Sequence, residues 1–196
     1  GDAIITAGDD ALPQIIQAAE RLNDSYLFIQ GPPGSGKTYT GSHLIATLLQ
    51  AGKRVAVSSN SHKAINNLLE AVDKRMKDAG GSYDGMKKSA KPEQWIQSDF
   101  IVNVADAGVI VKNRPQLVAG TVYLLCKPEF HCDFDYLFID EAGQVSLADA
   151  LAMGTSARTR ASCGARARRA RSRSTTRAST WARCTRGTRA RNARAT

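Results

Sequence analysis

The stretch Gly31-Pro-Pro-Gly-Ser-Gly-Lys-Thr38 decides how this sequence folds. It follows the short apolar run 26–29 and leads into residues 37–50, whose leucines and isoleucine recur at helical spacing. Glycines allow backbone N–H groups to turn inward around phosphate groups, and the beginning of the next helix adds a partial positive charge. The pattern G-x-x-x-x-G-K-[ST] between a strand and a helix therefore predicts a loop that binds the phosphates of a nucleotide.

The loop supplies the first candidate site residues. Lys37 is expected to reach the β- and γ-phosphates, and the Thr38 hydroxyl is expected to ligate Mg²⁺. A plain glycine turn is the alternative, but the pattern arises by chance in only on the order of one chain in a hundred of this length. The residues that we expect to contact nucleotide are Gly31, Pro32, Pro33, Gly34, Ser35, Gly36, Lys37 and Thr38.

A second apolar run, residues 136–139, ends in the carboxylate pair Asp140 and Glu141. Asp140 is expected to hold Mg²⁺ through a water molecule, and Glu141 to orient and activate the attacking water, since phosphoryl transfer depends on positioning and charge neutralisation. Taken alone, an Asp-Glu pair after a strand often only caps the following helix. Together with the glycine loop, the pair predicts a site that hydrolyses ATP with Mg²⁺.

Further apolar segments alternate with amphipathic helical segments over the first 156 residues. Strands that are apolar on both faces and separated by helices imply an α/β fold, with a parallel sheet covered by helices and ligands at the carboxyl ends of the strands. Residues 79–93, rich in Gly, Ser, Lys and Asp, predict a mobile surface insertion. Strands are predicted at 26–29, 55–57, 100–104, 117–119 and 136–139, and helices at 10–22, 37–50 and 61–77.

Charge divides the chain into two parts. The whole chain has a formal net charge of +9, yet every acidic residue lies at or before Asp149. Residues 1–156 hold 14 basic and 18 acidic residues, a net charge of −4, whereas residues 157–196 hold 13 arginines and no acidic residue. Because this second part also lacks Leu, Ile, Val, Met, Phe and Tyr, we expect it to build no hydrophobic core and to be disordered.

Membrane and disulfide-rich classes are disfavoured. No stretch approaches the roughly 18 consecutive apolar residues of a membrane span, and the first residues lack the pattern of a signal peptide, so we expect a cytoplasmic protein without membrane contact. Cys126, Cys132, Cys163 and Cys184 form no CxxC pair, which disfavours a disulfide framework. Cys126, His131 and Cys132 lie close in sequence, but zinc needs a fourth ligand, so ordinary thiols are favoured.

The two nucleotide motifs together resemble a known enzyme family. Residues 31–38 and the run Asp140-Glu-Ala-Gly-Gln144 are similar to motifs I and II of superfamily 1 helicases, in the branch that includes the nonsense-mediated-decay helicase and Dna2-type enzymes. Residues 55–69 resemble motif Ia, most closely as in bacterial helicases fused to a RecB-like nuclease. The resemblance covers residues 25–156 and implies the first RecA-like P-loop motor domain (1A), incomplete at its C-terminal side, with residues 1–24 as a lead-in helix.

The resemblance also implies residues that contact nucleic acid. They would hold the sugar–phosphate backbone of single-stranded DNA or RNA without reading its sequence. From local pattern alone, the first three of them equally predict a turn that caps the helix from Ser61, and both can be true. These residues are Ser58, Ser59 and Asn60 after one strand, and Gly120 and Thr121 after another.

In the family, Gln144 would sense the γ-phosphate and couple hydrolysis to a second domain. Motif II is followed there by a Gly-Asp-x-x-Gln motif and by a second RecA-like domain that supplies arginine fingers. We expect the intact parent to carry that domain and a RecB-like nuclease domain, and this chain alone to turn over little or no ATP. Residues 157–196 leave two interpretations open: a shift of reading frame in a GC-rich gene, or an arginine-rich tail that binds the phosphates of DNA or RNA.

We therefore predict the ATP-binding motor domain of a superfamily 1 DNA/RNA helicase, which couples ATP hydrolysis to translocation on nucleic acid in its parent. Two alternatives stay open. One is another P-loop NTPase such as a nucleotide kinase, although no lid arginines or acceptor pocket are apparent. The other is a non-enzymatic, arginine-rich nucleic-acid-binding protein whose loop only binds nucleotide.

Overall fold

The computed structural model describes residues 11–32 and 34–164, so predictions about residues 1–10, Pro33 and residues 165–196 lie outside the described residues. Within the described ranges, strands and α-helices alternate along the chain, except that a short 3-10 helix, Pro92–Gln94, connects the third strand to the fourth. The strands are β1 Tyr26–Gln30, β2 Val55–Ser58, β3 Gly85–Lys88, β4 Ile101–Val104, β5 Leu117–Ala119, β6 Phe134–Ile139 and β7 Ala157–Gly164. The helices are α1 Ala11–Glu20, α2 Lys37–Gln50, α3 His62–Asp78, α4 Ala107–Asn113, α5 Val122–Leu125 and α6 Leu147–Gly154.

The strands form one parallel sheet in the order β1-β7-β6-β2-β5-β3-β4. At its centre, Val55 of β2 lies beside Tyr136 of β6 on one side and beside Leu117 of β5 on the other. Because parallel neighbours need long crossover connections, each crossover places a helix or loop against a face of the sheet. The predicted α/β fold with a helix-covered parallel sheet is confirmed.

The core has two halves, one on each face of the sheet. Alternate residues of a strand point to opposite faces, so Val55 and Val57 pack with α1, α2 and α3, whereas Ala56 packs with α4, α5 and α6. Both faces are covered, since Val55, Ala56 and Val57 are all fully buried. This two-sided burial explains why the central strands read as continuous apolar runs.

Residues 79–93 do not form the mobile insertion that their polar composition predicted, because they contain β3, which pairs with both β5 and β4. The segment is held by buried polar contacts: the Tyr83 hydroxyl donates a hydrogen bond to Asp73, and the Lys87 ammonium donates one to the Gln94 carbonyl. Gly85 packs tightly, since a Cβ there would lie 3.0 Å from Ile101 Cγ1. A buried lysine and a packed glycine made a core strand look like a surface loop.

The structure also differs from the predicted boundary after residue 156. Strand β7, Ala157–Gly164, lies inside the sheet between β1 and β6, with Ala157 opposite Phe134 and Arg160 opposite Tyr26. Backbone hydrogen bonds make these ladders whatever the side chains are. The sheet therefore extends eight residues into the segment that composition marked as a coreless tail.

Candidate nucleotide and strand site

The predicted phosphate loop joins β1 to α2 and has the backbone that its glycines allow. Gly34 and Gly36 both have φ of 80°, a left-handed conformation that side chains with a Cβ rarely adopt. Gly31 is required for a different reason, because a Cβ there would lie 2.2 Å from Ser35 Oγ. Gly36 immediately precedes α2, and its carbonyl accepts a hydrogen bond from Thr40 at 2.9 Å. The free N–H groups at the beginning of this 14-residue helix favour an anion at the loop.

Lys37 lies over this loop. Its Nζ donates hydrogen bonds to the carbonyl oxygens of Gly31 at 3.0 Å and of Pro32 at 2.8 Å. Thr38, the next residue, is exposed at the surface of the first turn of α2. The ammonium group and the hydroxyl therefore both stand at the mouth of the loop.

Asp140 and Glu141 follow β6 at the same edge of the sheet. Burial raises the pKa of Asp140, while the Glu141 N–H, which donates to Asp140 Oδ1 at 2.9 Å, and the positive charge of Lys37 both oppose that rise. Glu141 has φ of 52° and ψ of 35°, the left-handed region that a non-glycine residue seldom occupies. Such strain persists where the surrounding fold holds it, and it is found preferentially at functional sites.

The two motifs meet although about a hundred residues separate them in sequence. Lys37 and Thr38 from α2 and Asp140, which follows β6, line one small cavity together with Gly41 and Phe138. The positive charge of Lys37 offsets part of the rise that burial gives to the pKa of Asp140, which reflects the same proximity. A cation, a hydroxyl and a carboxylate thus converge where the loop opens, which is the chemistry needed to hold a phosphate and a hard metal ion.

A larger cavity of about 540 Å³ continues from the loop along α1 and β1. Its walls are mainly apolar, with Ile15 from α1 and Leu27 and Ile29 from β1, and Gln30 adds a polar group at the loop end. Its size falls within the range of small-molecule sites, and it shares Lys37 with the phosphate loop. The cavity has the size and lining to accept the base of a nucleotide whose phosphates lie at the loop.

The residues predicted to contact nucleic acid also come together at the carboxyl edge. Val57 pairs with Ala119, and the Gly120 N–H donates to the Val57 carbonyl at 3.1 Å, so β2 and β5 end side by side. Ser58 and Ser59 are buried, and neither hydroxyl has a hydrogen-bond partner in the described part of the chain. The alternative role, capping helix α3, belongs to Ser61, whose Oγ accepts a hydrogen bond from the Ala64 N–H at 3.1 Å.

Asn60 connects these two regions. Its side-chain amide donates to the Gln144 carbonyl at 2.5 Å, and the neighbouring Ser58 carbonyl accepts from the Asp140 N–H at 2.9 Å. Asn60 and Gln144 are both exposed. The loop after β2 is therefore attached directly to the loop that follows the carboxylate pair.

The sequence did not predict that Lys88 lies beside residues expected to contact nucleic acid, because its polar neighbours indicated a surface insertion over residues 79–93. Lys88 ends β3, and since Lys87 pairs with Ala119, Lys88 reaches the level of Gly120 on the neighbouring strand. Lys87 and Lys88 both lower the pKa of His62 at the beginning of α3, although burial of the imidazole is the larger cause. An alternating strand whose last residue is basic was the available signal, and the polar neighbours masked it.

The remaining predictions concern cysteines and membranes. Cys126 is a free, exposed thiol as expected, whereas Cys132 is disulfide-bonded, so the prediction of an ordinary thiol is wrong for Cys132. Sequence spacing does not report which cysteines approach each other in three dimensions. Among the described residues, no group of three His, Cys, Asp or Glu side chains is placed to hold a metal ion. No helix in the described ranges is long and apolar enough to cross a membrane.

Comparison with known proteins agrees with this geometry. A family model described as an AAA domain matches residues 13–168. The chain is 29% identical over 147 residues to the DNA replication ATP-dependent helicase/nuclease DNA2 of Saccharomyces cerevisiae, a match that covers 72% of this chain and 9% of that protein. It is 32% identical over 127 residues to the helicase/nuclease JHS1 of Arabidopsis thaliana, covering 62% of this chain and 9% of JHS1. The chain thus spans about a tenth of the length of these relatives.

A solved structure shares the fold. The UvsW helicase from bacteriophage T4 superposes with a TM-score of 0.54 at 12% sequence identity, over 79% of this chain and 51% of UvsW. The comparisons favour neither the nucleotide kinase nor the non-enzymatic alternative. The family match spans the phosphate loop, the carboxylate pair and β7. The chain belongs to the AAA domain family, has the RecA-like α/β fold, and is similar in sequence to Dna2-type helicase/nucleases.

Proposed function

We propose that this domain binds ATP together with Mg²⁺ and, within a longer parent protein, converts ATP hydrolysis into movement along a single strand of DNA or RNA. The observation that carries the proposal is the shared cavity of Lys37, Thr38 and Asp140. The named relatives are helicase/nucleases, which supports a nucleic-acid substrate and a parent with a nuclease domain. A cytoplasmic location stays a prediction.

Each group at the nucleotide has one task. The backbone N–H groups of the loop and the Lys37 ammonium neutralise phosphate charge, and Lys37 exchanges its bonds to the Gly31 and Pro32 carbonyls for phosphate oxygens. The Thr38 hydroxyl and the Asp140 carboxylate are hard oxygen donors that fit Mg²⁺, which when bound would neutralise charge on the phosphates. Glu141, held in its left-handed conformation, accepts a proton from the attacking water.

At the nucleic acid, Asn60 and Thr121 reach solvent and hold the backbone of the nucleic-acid strand, while the buried Ser58, Ser59 and Gly120 support the two loops that carry them. Hydroxyl, amide and backbone groups bind phosphate and sugar without reading bases, so the surface binds any sequence. Asn60 then acts on both sites, because it bonds to the carbonyl of Gln144, the residue that we assign to sensing the γ-phosphate. Movement of the Gln144 loop on hydrolysis changes the grip of the Asn60 loop on the strand.

The nucleotide assignment is tested by a magnesium-dependent titration of fluorescent ADP against the full chain. Thr38→Ala is expected to remove the part of the affinity that Mg²⁺ adds, while binding in excess chelator stays at the wild-type value. Thr47→Ala is the matched control, a threonine further along the same helix, and it should bind like the wild type. Equal magnesium dependence in both variants would contradict the assignment.

The assignment of the nucleic-acid-binding surface is tested with Asn60→Ala and Asn113→Ala. Both are exposed asparagines whose side-chain amide donates to a backbone carbonyl, but Asn113 ends α4, and the adjoining Arg114 bonds to Asp133 just before β6, at the opposite edge of the sheet. At raised salt, where the arginine-rich segment contributes least, only Asn60→Ala should weaken binding of a single-stranded oligonucleotide. Equal affinities for both variants would refute the proposed surface.

A further inference from the structure

One large aromatic side chain is exposed to solvent beside the surface that we propose binds single-stranded nucleic acid. Tyr123 is 84% exposed, whereas its neighbours Leu124 and Leu125 are 1% and 0% exposed. All three belong to the short helix α5. The two leucines anchor the helix in the core on that face of the sheet, so the backbone of Tyr123 is fixed while its ring projects outward.

The position of this ring is set by the end of β5. Gly120 is bonded to Val57 of β2, and a Cβ at Gly120 would lie 2.6 Å from Leu124 Cδ2. Chain and helix are therefore packed closely at this point, which leaves little freedom between the strand end and Tyr123. Tyr123 comes two residues after Thr121, and Thr121 precedes the helix without a capping bond from its side chain. The ring therefore lies next to the groups that we propose bind the sugar–phosphate backbone of the nucleic acid.

The Tyr123 side chain makes no hydrogen bond, ion pair or ring contact with the described residues, so nothing in this part of the fold explains its identity. An exposed tyrosine ring forgoes the free energy that its burial would contribute to folding. Aromatic rings beside a cationic groove serve as platforms for unpaired bases, and every base has a face that can stack. Two lysines lie on neighbouring segments: Lys88 ends β3 at the level of Gly120, and the exposed Lys127 follows α5.

We propose that Tyr123 is a base-stacking residue: its ring covers the face of one unpaired base while Thr121 and the Ser58–Asn60 loop hold the neighbouring phosphates. The inference rests on the proposed strand surface and adds to it. Phosphate contacts alone would hold a duplex and a single strand alike, whereas a stacking ring needs a base whose face is free. Tyr123 therefore gives the surface its preference for single strands.

The test measures binding of a fluorescent oligothymidine to the full chain at raised salt. Tyr123→Ala is expected to lower the affinity by about 5- to 150-fold, the range of one lost base–aromatic stack, while Tyr123→Phe stays within about twofold of wild type because the ring remains. Tyr26→Ala is the matched control, since Tyr26 is also exposed, at 71%, but lies on β1 at the other edge of the sheet. It should bind like the wild type.

An oligomer with abasic sites separates stacking from any structural effect. It keeps the phosphates but has no base faces, so wild type and Tyr123→Ala should bind it equally. A Tyr123→Ala variant that binds oligothymidine within about twofold of wild type overturns the stacking proposal, as does an equal loss on both oligomers. Asn60→Ala then distinguishes the two proposals: if it still weakens binding, the strand surface stands without the stack, and if it does not, the proposed function fails as well.

Discussion

Replacing Lys37 by alanine should separate nucleotide binding from stability. The ammonium donates to the Gly31 and Pro32 carbonyls at 3.0 and 2.8 Å, and both residues reach solvent, so water can replace these bonds. The free energy of unfolding should therefore fall by less than about 1 kcal/mol. A hydrogen bond to a charged group contributes about 1.5–3 kcal/mol, so losing one phosphate contact should weaken nucleotide binding by roughly 10- to 150-fold.

Two measurements on the same protein give this signature. A fluorescent-ADP titration with Mg²⁺ reports the affinity, and urea unfolding reports the stability. Lys53→Ala, which removes an exposed lysine just beyond the C-terminus of α2, should leave both values unchanged. Equal nucleotide affinity in wild type and Lys37→Ala would refute the assignment of the loop, and a loss of stability as large as the loss of affinity would show that Lys37 acts on the fold.

Two further predictions follow from buried ionisable groups. Burial lowers the pKa of Lys87, so between that lowered value and the ordinary value of about 10.4 the unfolded chain binds more protons and stability rises with pH. Lys87→Met removes this titrating group and should therefore flatten the rise of the free energy of unfolding with pH, measured by urea unfolding up to about pH 10. Burial raises the pKa of Asp140, so magnesium-dependent nucleotide affinity should fall on acidification at a higher pH than an exposed aspartate would give. Asp140→Asn should lower that affinity by more than about tenfold. Its midpoint of thermal unfolding should equal or exceed that of the wild type, because the desolvated charge is gone. An unchanged magnesium dependence, or a lower midpoint of unfolding, would count against the role of Asp140.

The nucleotide half of the site could be predicted from sequence because its signals are local. The glycines of the loop, the helix from Lys37 and the apolar run before Asp140 each impose their conformation on a few consecutive residues. That both motifs lie at one edge of the sheet then follows from parallel strands, whose carboxyl ends share that edge. That Lys37, Thr38 and Asp140 line one cavity therefore follows from local sequence signals and parallel strand order.

What sequence could not supply depends on tertiary contacts. Strand β3 is polar in composition, and only the fold gives Lys87 a carbonyl partner in the interior. Strand β7 is held by backbone ladders to both neighbours, which composition cannot report. The left-handed backbone of Glu141 and the exposure of Tyr123 are likewise properties of the assembled loops and not of the residue types.

We propose that a single edge of the sheet carries both a nucleotide site and a nucleic-acid site, built from segments distant in sequence. Hydrogen–deuterium exchange on the full chain at raised salt tests it most directly. Mg²⁺ with a non-hydrolysable ATP analogue should protect residues 31–40 and 140–144 together, and a single-stranded oligonucleotide should protect residues 58–60 and 120–123. Nucleotide protection absent from residues 31–40 or from residues 140–144, or oligonucleotide protection confined to residues 165–196, would contradict this arrangement of the two sites.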